Sequence, residues 1–222
     1  MKKHLQALIE TACAAGVSDA RLISPQRLVV QEKFVEYCLT PKCRNYGLSA
    51  GCPPHVAGPQ QFRRWREEAV HALVVRLDVP AKLLFTPKRI DVFRKLHRSV
   101  ATVELQAAGM AYPCSRGFAG GSCKDIFCRD NKECLQLSSQ GVCRNPLEAR
   151  PSLSGFGVDV GKMMAAAGWN DTIPAVETTM EESVSWVAGL VLLSRKKDGY
   201  LRGPAGSEEV LSFRRRAPCL KI

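Results

Sequence analysis

Long apolar runs, acidic residues and aromatic residues are all scarce in this sequence. No apolar run approaches the roughly 20 residues that a membrane helix needs, so we expect no membrane association. The first residues, MKKHLQALIETACAAG, are basic, but Glu10 and Thr11 fall where the apolar region of a signal peptide would run. We therefore predict a cytoplasmic protein.

The shortage of acidic residues leaves the chain strongly basic. It has 32 Lys and Arg against 21 Asp and Glu, which is a formal net charge of +11 at pH 7. A basic surface favours an acidic partner, and we predict an acidic redox protein or enzyme. Aromatic residues make up only 7%, and no stretch interleaves them with basic residues as a base-stacking surface requires. Nucleic acid is therefore not favoured as a partner, and the oligomeric state is left open.

Hydrophobic periodicity switches between helical and strand-like spacing along the chain. Helices are predicted up to Gly16, from Pro59, over 87–109, near 132–137 and over 158–167; strands are predicted at 21–23, 28–30 and 72–79, with a central buried strand at 184–193. We therefore predict an α/β or α+β fold, in which helices pack on a mixed sheet and two cysteine-rich irregular insertions interrupt it. At 222 residues, one domain over 1–222 is expected.

Cysteine is abundant, and its positions are clustered. Seven of the ten cysteines form two sets, Cys38-x4-Cys43-x8-Cys52 and Cys123-x4-Cys128-x5-Cys134-x8-Cys143. Both sets open with a four-residue gap, close with an eight-residue gap and are followed by a proline within three residues. Cytoplasmic thiols stay reduced, so clustered cysteines there indicate metal binding more than a disulfide framework. We predict that all seven are metal ligands, within segments 38–55 and 114–160.

The spacing favours iron–sulfur clusters over zinc. Structural zinc sites use pairs of short Cys-x2–4-Cys knuckles, whereas both sets here have a long arm. Iron–sulfur ligands spread over wider loops, and a proline after the last cysteine is typical of ferredoxin-type sites. Gly47 and Gly51 permit positive φ and a close approach of the backbone to a cluster. We predict two [4Fe–4S] clusters, with zinc as the alternative metal.

The first set is one thiol short of a complete cluster site. Its fourth ligand is open to His55, Cys114, Cys219, water or an exogenous ligand, and the two sets can also exchange ligands as in two-cluster ferredoxins. We expect three cysteine ligands there. Of the remaining residues, Cys13 is expected to be a core thiol on the first helix, and His97 is expected to lack a partner.

Three functions are compatible with such sites. The leading one is electron transfer between the clusters and a redox partner. In the second, an enzyme uses a three-cysteine cluster whose open iron binds substrate or sulfide. The third is a zinc-stabilised interaction module. Whether the protein is an enzyme stays open, and no catalytic residue is identified.

Two stretches carry a resemblance to a known family. KCRNYGLSAGCPPH and GGSCKDIFCRDNKECLQLSSQGVCRNPLEARPSLSGFGVDV resemble the two signatures of the predicted metal-binding proteins, domain of unknown function 2284. The similarity covers about residues 38–168. It implies metal binding of the iron–sulfur type and an occurrence among anaerobic bacteria and archaea, and it supplies no particular reaction.

Overall fold

The computed structural model describes residues 2–138, 141–169 and 183–195. The helices and strands follow in chain order: α1 (Lys2–Ala14), β1 (Asp19–Ile23), α2 (Lys33–Glu36), α3 (Gly58–Glu68), β2 (His71–Pro80), α4 (Ala81–Leu84), α5 (Arg89–Gly109), β3 (Arg116–Ala119), α6 (Cys123–Phe127), α7 (Val160–Ala166) and β4 (Val184–Leu193). Two 3₁₀ turns, Pro25–Arg27 and Ser154–Phe156, complete the regular structure of these residues.

The four described strands form one sheet in the order β1-β2-β4-β3. All three strand pairings are antiparallel, and a single isolated parallel bridge joins Ala119 to Ser152. The two long strands β2 and β4 pair along their whole length, from His71 opposite Leu193 to Pro80 opposite Val184. The apolar run at 184–193 is therefore a central strand, as predicted.

Helices cover one face of the sheet, and a mixture of helices and loops covers the other. Alternate residues of β2, such as Leu73 and Val75, pack with α1 and α5. The residues between them, such as Val74, pack with α3, α7 and an aromatic group on the opposite face. That group consists of Phe62, Trp65, Phe118 and Phe156, with ring centroids 5.1–6.1 Å apart.

The predicted fold class is confirmed, and the structure is α+β, although all strand pairings of the sheet are antiparallel where a mixed sheet was expected. The first cysteine-rich segment, between α2 and α3, is irregular, as expected. The second, from the end of β3 to the turn at Ser154–Phe156, is irregular apart from the short helix α6. No helix among the described residues combines the length and the apolar character needed to span a membrane. That residues 1–222 form one domain stays a prediction.

Several local predictions were wrong. The strand expected at 28–30 is absent from the described structure: Pro25 starts a 3₁₀ turn, and Val30 makes only an isolated bridge to Val158. Turns occupy 132–137 in place of a helix, and the short helix of this segment is α6. Cys13 is exposed and not a core thiol, because α1 turns Leu8 and Ala12 toward the sheet.

A substitution of Gly189, at the centre of β4, can test how closely α5 packs on the sheet. A Cβ at Gly189 would collide with the Val100 side chain of α5 and lie 3.1 Å from Val75. We predict that Gly189→Ala lowers the free energy of unfolding by about 1–3 kcal/mol, the usual cost of overfilling a packed core. Urea denaturation of the purified protein measures it.

The matched control is Gly109→Ala at the end of α5. A Cβ there meets no atom within 4 Å, so this change should be neutral or stabilise by up to about 1 kcal/mol. Equal effects of the two substitutions would contradict the close approach of α5 to β4.

Candidate metal centre

The two cysteine segments meet at a backbone junction. The Ser152 N–H donates to the Gly51 carbonyl at 2.9 Å, and the Ala119 N–H donates to the Pro151 carbonyl at 3.0 Å. A Cβ placed on Gly51 would lie 3.1 Å from the Cys123 sulfur. The predicted positive φ is found at Gly47, which has a φ of 78°, and not at Gly51, while the approach of either glycine to a cluster stays a prediction.

The three thiols of the first set differ in their exposure to solvent. Burial raises the pKa of Cys38, the Ser154 hydroxyl lowers it, and negative charge on Cys43 or Cys52 would raise it further. Cys52 is buried, and its thiol donates to the Ser122 hydroxyl at 3.2 Å. Cys43 is exposed. These three thiols are therefore electrostatic neighbours, with Cys43 nearest to solvent.

The second set lines a cavity of about 520 Å³. All four of its thiols contribute to the wall, together with the aromatic side chains of Trp65, Phe118, Phe127 and Phe156. Asn145 lies beside two of the thiols: its backbone N–H donates to the Cys143 sulfur at 3.3 Å, and its Nδ2 donates to the Cys128 sulfur at 3.4 Å. The cavity thus has a sulfur-rich part and an aromatic part.

Cys123 is the most strongly perturbed of these thiols. Burial raises its pKa to about 12, the Ser49 hydroxyl opposes the rise, and the thiols of Cys52, Cys143 and Cys134 add to it. Burial likewise raises the pKa of Cys52, again opposed by the hydroxyls of Ser122 and Ser49. Such thiols stay protonated until a metal displaces the proton.

Ser49 is a buried hydroxyl between the two sets. It is 1% exposed and lies close enough to Cys52 and Cys123 to influence both pKa values. Its Oγ nevertheless has no hydrogen-bond partner at normal geometry within the described residues. A buried unpaired hydroxyl is costly, so Ser49 fits a site in which a further acceptor, such as a thiolate or sulfide, is bound.

Positive charge lies close to the second set. The Lys124 side chain is only 8% exposed, and its Nζ donates to the carbonyls of Cys128 at 2.8 Å and Asn131 at 2.7 Å. Arg150 lowers the pKa of Cys143, against the larger effect of burial. These cations suit an anionic metal–thiolate centre. Within the described residues, no three His, Cys, Asp or Glu side chains are arranged to hold a single metal ion.

A buried ion pair anchors the second cysteine segment to α5, and it was not predicted from the sequence. Arg150 forms an ion pair with Glu104, and both side chains are less than 10% exposed. Glu104 Oε1 also accepts from the Gly117 N–H at 2.9 Å. The sequence feature that could have predicted this pair is Glu104 itself, an acidic residue on the apolar face of the predicted helix, between Val100 and Ala107.

His97 belongs to the same group, and the expectation that it lacks a partner was wrong. Its Nδ1 accepts from the Arg150 N–H at 3.1 Å, and its Nε2 lies 3.0 Å from the Gly120 carbonyl. Because Nδ1 accepts, the proton of the neutral ring is on Nε2, which donates to Gly120. His97 therefore ties α5 to both ends of the second segment.

The structure narrows the candidates for the fourth ligand of the first set. His55 is exposed, and its Nε2 lies 3.2 Å from the Gly47 carbonyl. Cys114 lies at the opposite end of β3 from Cys123. Cys219 lies outside the described residues.

The comparison with protein families agrees with the predicted resemblance. The model of a family described as predicted metal-binding protein, domain of unknown function 2284, matches residues 21–193. The chain belongs to this family. The matched region contains all seven clustered cysteines. No curated protein and no solved structure matches the chain.

The buried imidazole makes stability depend on pH. Burial lowers the pKa of His97 to about 4, from about 6.5 in the unfolded chain. Because the pKa of His97 is lower in the folded chain than in the unfolded chain, the unfolded chain binds the proton more tightly. Protonation of His97 therefore favours unfolding. We predict that its contribution to the free energy of unfolding is fully present above about pH 6.5 and falls by about 3 kcal/mol as the pH drops to about 4.

Urea denaturation between pH 7 and pH 4.5 measures this effect. The His97→Gln variant should be less stable at pH 7 and should show a shallower loss of stability as the pH falls, because glutamine does not titrate. Parallel pH profiles for the two proteins would contradict the assignment.

Proposed function

We propose that this member of the predicted metal-binding family is an iron–sulfur protein with two [4Fe–4S] clusters, held by the seven clustered cysteines, that exchanges single electrons with a redox partner. One observation carries the proposal: two separate loops bring seven thiols to a single junction beside a cavity that four of them line. Thiolates are soft ligands that suit iron–sulfur clusters and zinc. The cavity of about 520 Å³ supports a polynuclear centre over a single zinc ion.

The surroundings of the thiols also fit the proposed clusters. A bound cluster supplies a one-electron donor and acceptor, whose potential depends on hydrogen bonds to sulfur and on exposure to solvent. Asn145 donates to sulfur, and the hydroxyls of Ser49, Ser122 and Ser154 lie beside other cysteines, where they can donate once the thiols are deprotonated. Their role here is to hold the sulfur ligands and to stabilise negative charge on them.

The surface around the two loops supports an acidic redox partner. Arg44 and Arg129 are more than half exposed and lie on either side of Asp125, with which both form ion pairs. Six apolar side chains of the same loops are also exposed: Tyr37, Leu39, Leu48, Leu137, Val142 and Leu147. Exposed arginines and exposed apolar side chains on the same loops favour docking of an acidic protein near the clusters.

A cytoplasmic location in an anaerobic cell completes the proposal, because reduced thiols and low oxygen preserve clusters of this kind. The competing enzyme hypothesis is supported by the aromatic part of the cavity, which leaves room for a small molecule. Measurement of the metal content distinguishes the zinc hypothesis from the electron-transfer and enzyme hypotheses, which both require iron.

We predict that protein purified without oxygen contains about eight irons per chain and a similar amount of acid-labile sulfide. Cys43→Ser should remove about four irons, because it takes a ligand from one cluster. Cys13→Ser is the matched control: that thiol is exposed on α1 and should leave the iron content unchanged. Elemental and sulfide analysis measure both. Stoichiometric zinc without iron would defeat the proposal.

Electrostatic docking predicts a dependence on salt. The rate of electron transfer to an acidic ferredoxin should fall as ionic strength rises, because salt screens surface charges. Arg129→Gln should lower the low-salt rate, whereas Lys3→Gln, an equal change of charge on α1, should not. Stopped-flow absorbance follows the reaction. A rate that is independent of salt, or equal effects of the two variants, would argue against docking at the loops.

A further inference from the structure

Cys52 and Cys123, which belong to different sets in the sequence, lie side by side. The Cys52 thiol donates to the hydroxyl of Ser122, the residue before Cys123, at 3.2 Å. In the reciprocal direction, the residue before Cys52 is Gly51, where a Cβ would be 3.1 Å from the Cys123 sulfur. The two dipeptides 51–52 and 122–123 therefore pack directly on one another.

The buried Ser49 hydroxyl joins the same pair. It lies near both sulfurs and has no other partner within the described residues. A single hydroxyl can donate to a sulfur of a cluster that both cysteines bind. The position of Ser49 between the two sulfurs therefore favours ligation of one centre by both Cys52 and Cys123.

A second grouping involves the rest of the second set. Asn145 donates to the sulfurs of both Cys128 and Cys143, so these two thiols share one neighbour. Cys123 also lies near Cys134 and Cys143, but its packing against the dipeptide 51–52 links it directly to the first set.

We propose that Cys123 is the fourth ligand of the first set, so that Cys38, Cys43, Cys52 and Cys123 hold one centre and Cys128, Cys134 and Cys143 hold the other. The inference rests on the proposed function. It moves the three-thiol site from the first set, where the sequence placed it, to the second. The exchange of one cysteine between loops follows the arrangement of two-cluster ferredoxins.

A three-thiol centre at Cys128, Cys134 and Cys143 would leave one metal position open to an exogenous ligand, beside the cavity that these thiols line. The wall of the same cavity includes Arg116, whose guanidinium stacks over Trp65 at 4.8 Å and donates to the Cys114 carbonyl at 3.0 Å.

Thiol cross-linking tests the pairing without any metal. The full-length chain, purified in air and reduced, is treated with dibromobimane, which bridges neighbouring thiols, and its peptides are mapped by mass spectrometry. We expect Cys52–Cys123 and Cys128–Cys143 bridges to dominate. A preference of Cys123 for Cys128 or Cys143 would overturn the proposal, whichever metal the protein carries.

Electron paramagnetic resonance of the anaerobic, reduced protein tests the ligand assignment. Cys123→Ser should remove the same cluster signal as Cys43→Ser, and Cys128→Ser should remove the other. If Cys123→Ser and Cys128→Ser lose the same signal, Cys123 belongs to the second set and the proposal is wrong. Absence of any iron signal from the wild type would instead defeat the proposed function, while the cross-linking map still decides the pairing.

Cyanide serves as the probe for the exchangeable position. Cyanide should shift the signal of the cluster held by Cys128, Cys134 and Cys143, which is the signal that the Cys123→Ser variant retains. It should leave unchanged the signal of the other cluster, which the Cys128→Ser variant retains. A shift confined to the other cluster would overturn the assignment.

Discussion

The buried ion pair between Arg150 and Glu104 is the interaction on which the rest of the site depends. Arg150 stands at the start of a three-residue stretch that bonds to α5 through Glu104 and His97, to β3 through Pro151 and to the first loop through Ser152. Loss of one partner from such a pair leaves an unpaired buried charge, which costs about 3–5 kcal/mol. Loss of either partner would therefore weaken the stretch through which the two cysteine loops meet.

The regular elements were predictable from the sequence because their signal is local. Apolar spacing in α5 and the apolar run of β4 report burial directly, whatever the rest of the chain does. The errors fall where local turn chemistry decides the backbone. Pro25 starts a 3₁₀ turn in place of a hairpin, and the five-residue α6 is too short to show a helical period.

The candidate site was predictable in its residue types and not in its pairings. Spacing alone indicated the seven thiols and the two loop glycines. The contacts of Cys52 with Ser122, and of His97 with Arg150, join residues 70 and 53 positions apart and leave no local pattern. Such pairings follow from the way β3 and α5 bring the second segment against the first, which only the folded chain shows.

The division of the sheet into two faces has a consequence for how the protein matures. The core formed by α1, α5 and the sheet includes none of the seven clustered cysteines, so it can fold before any metal arrives. The loops that carry the thiols lie outside this core, with the second segment anchored to α5 through Arg150. Metal binding would then stabilise the loops on a scaffold that is already folded, so that assembly would proceed in two steps.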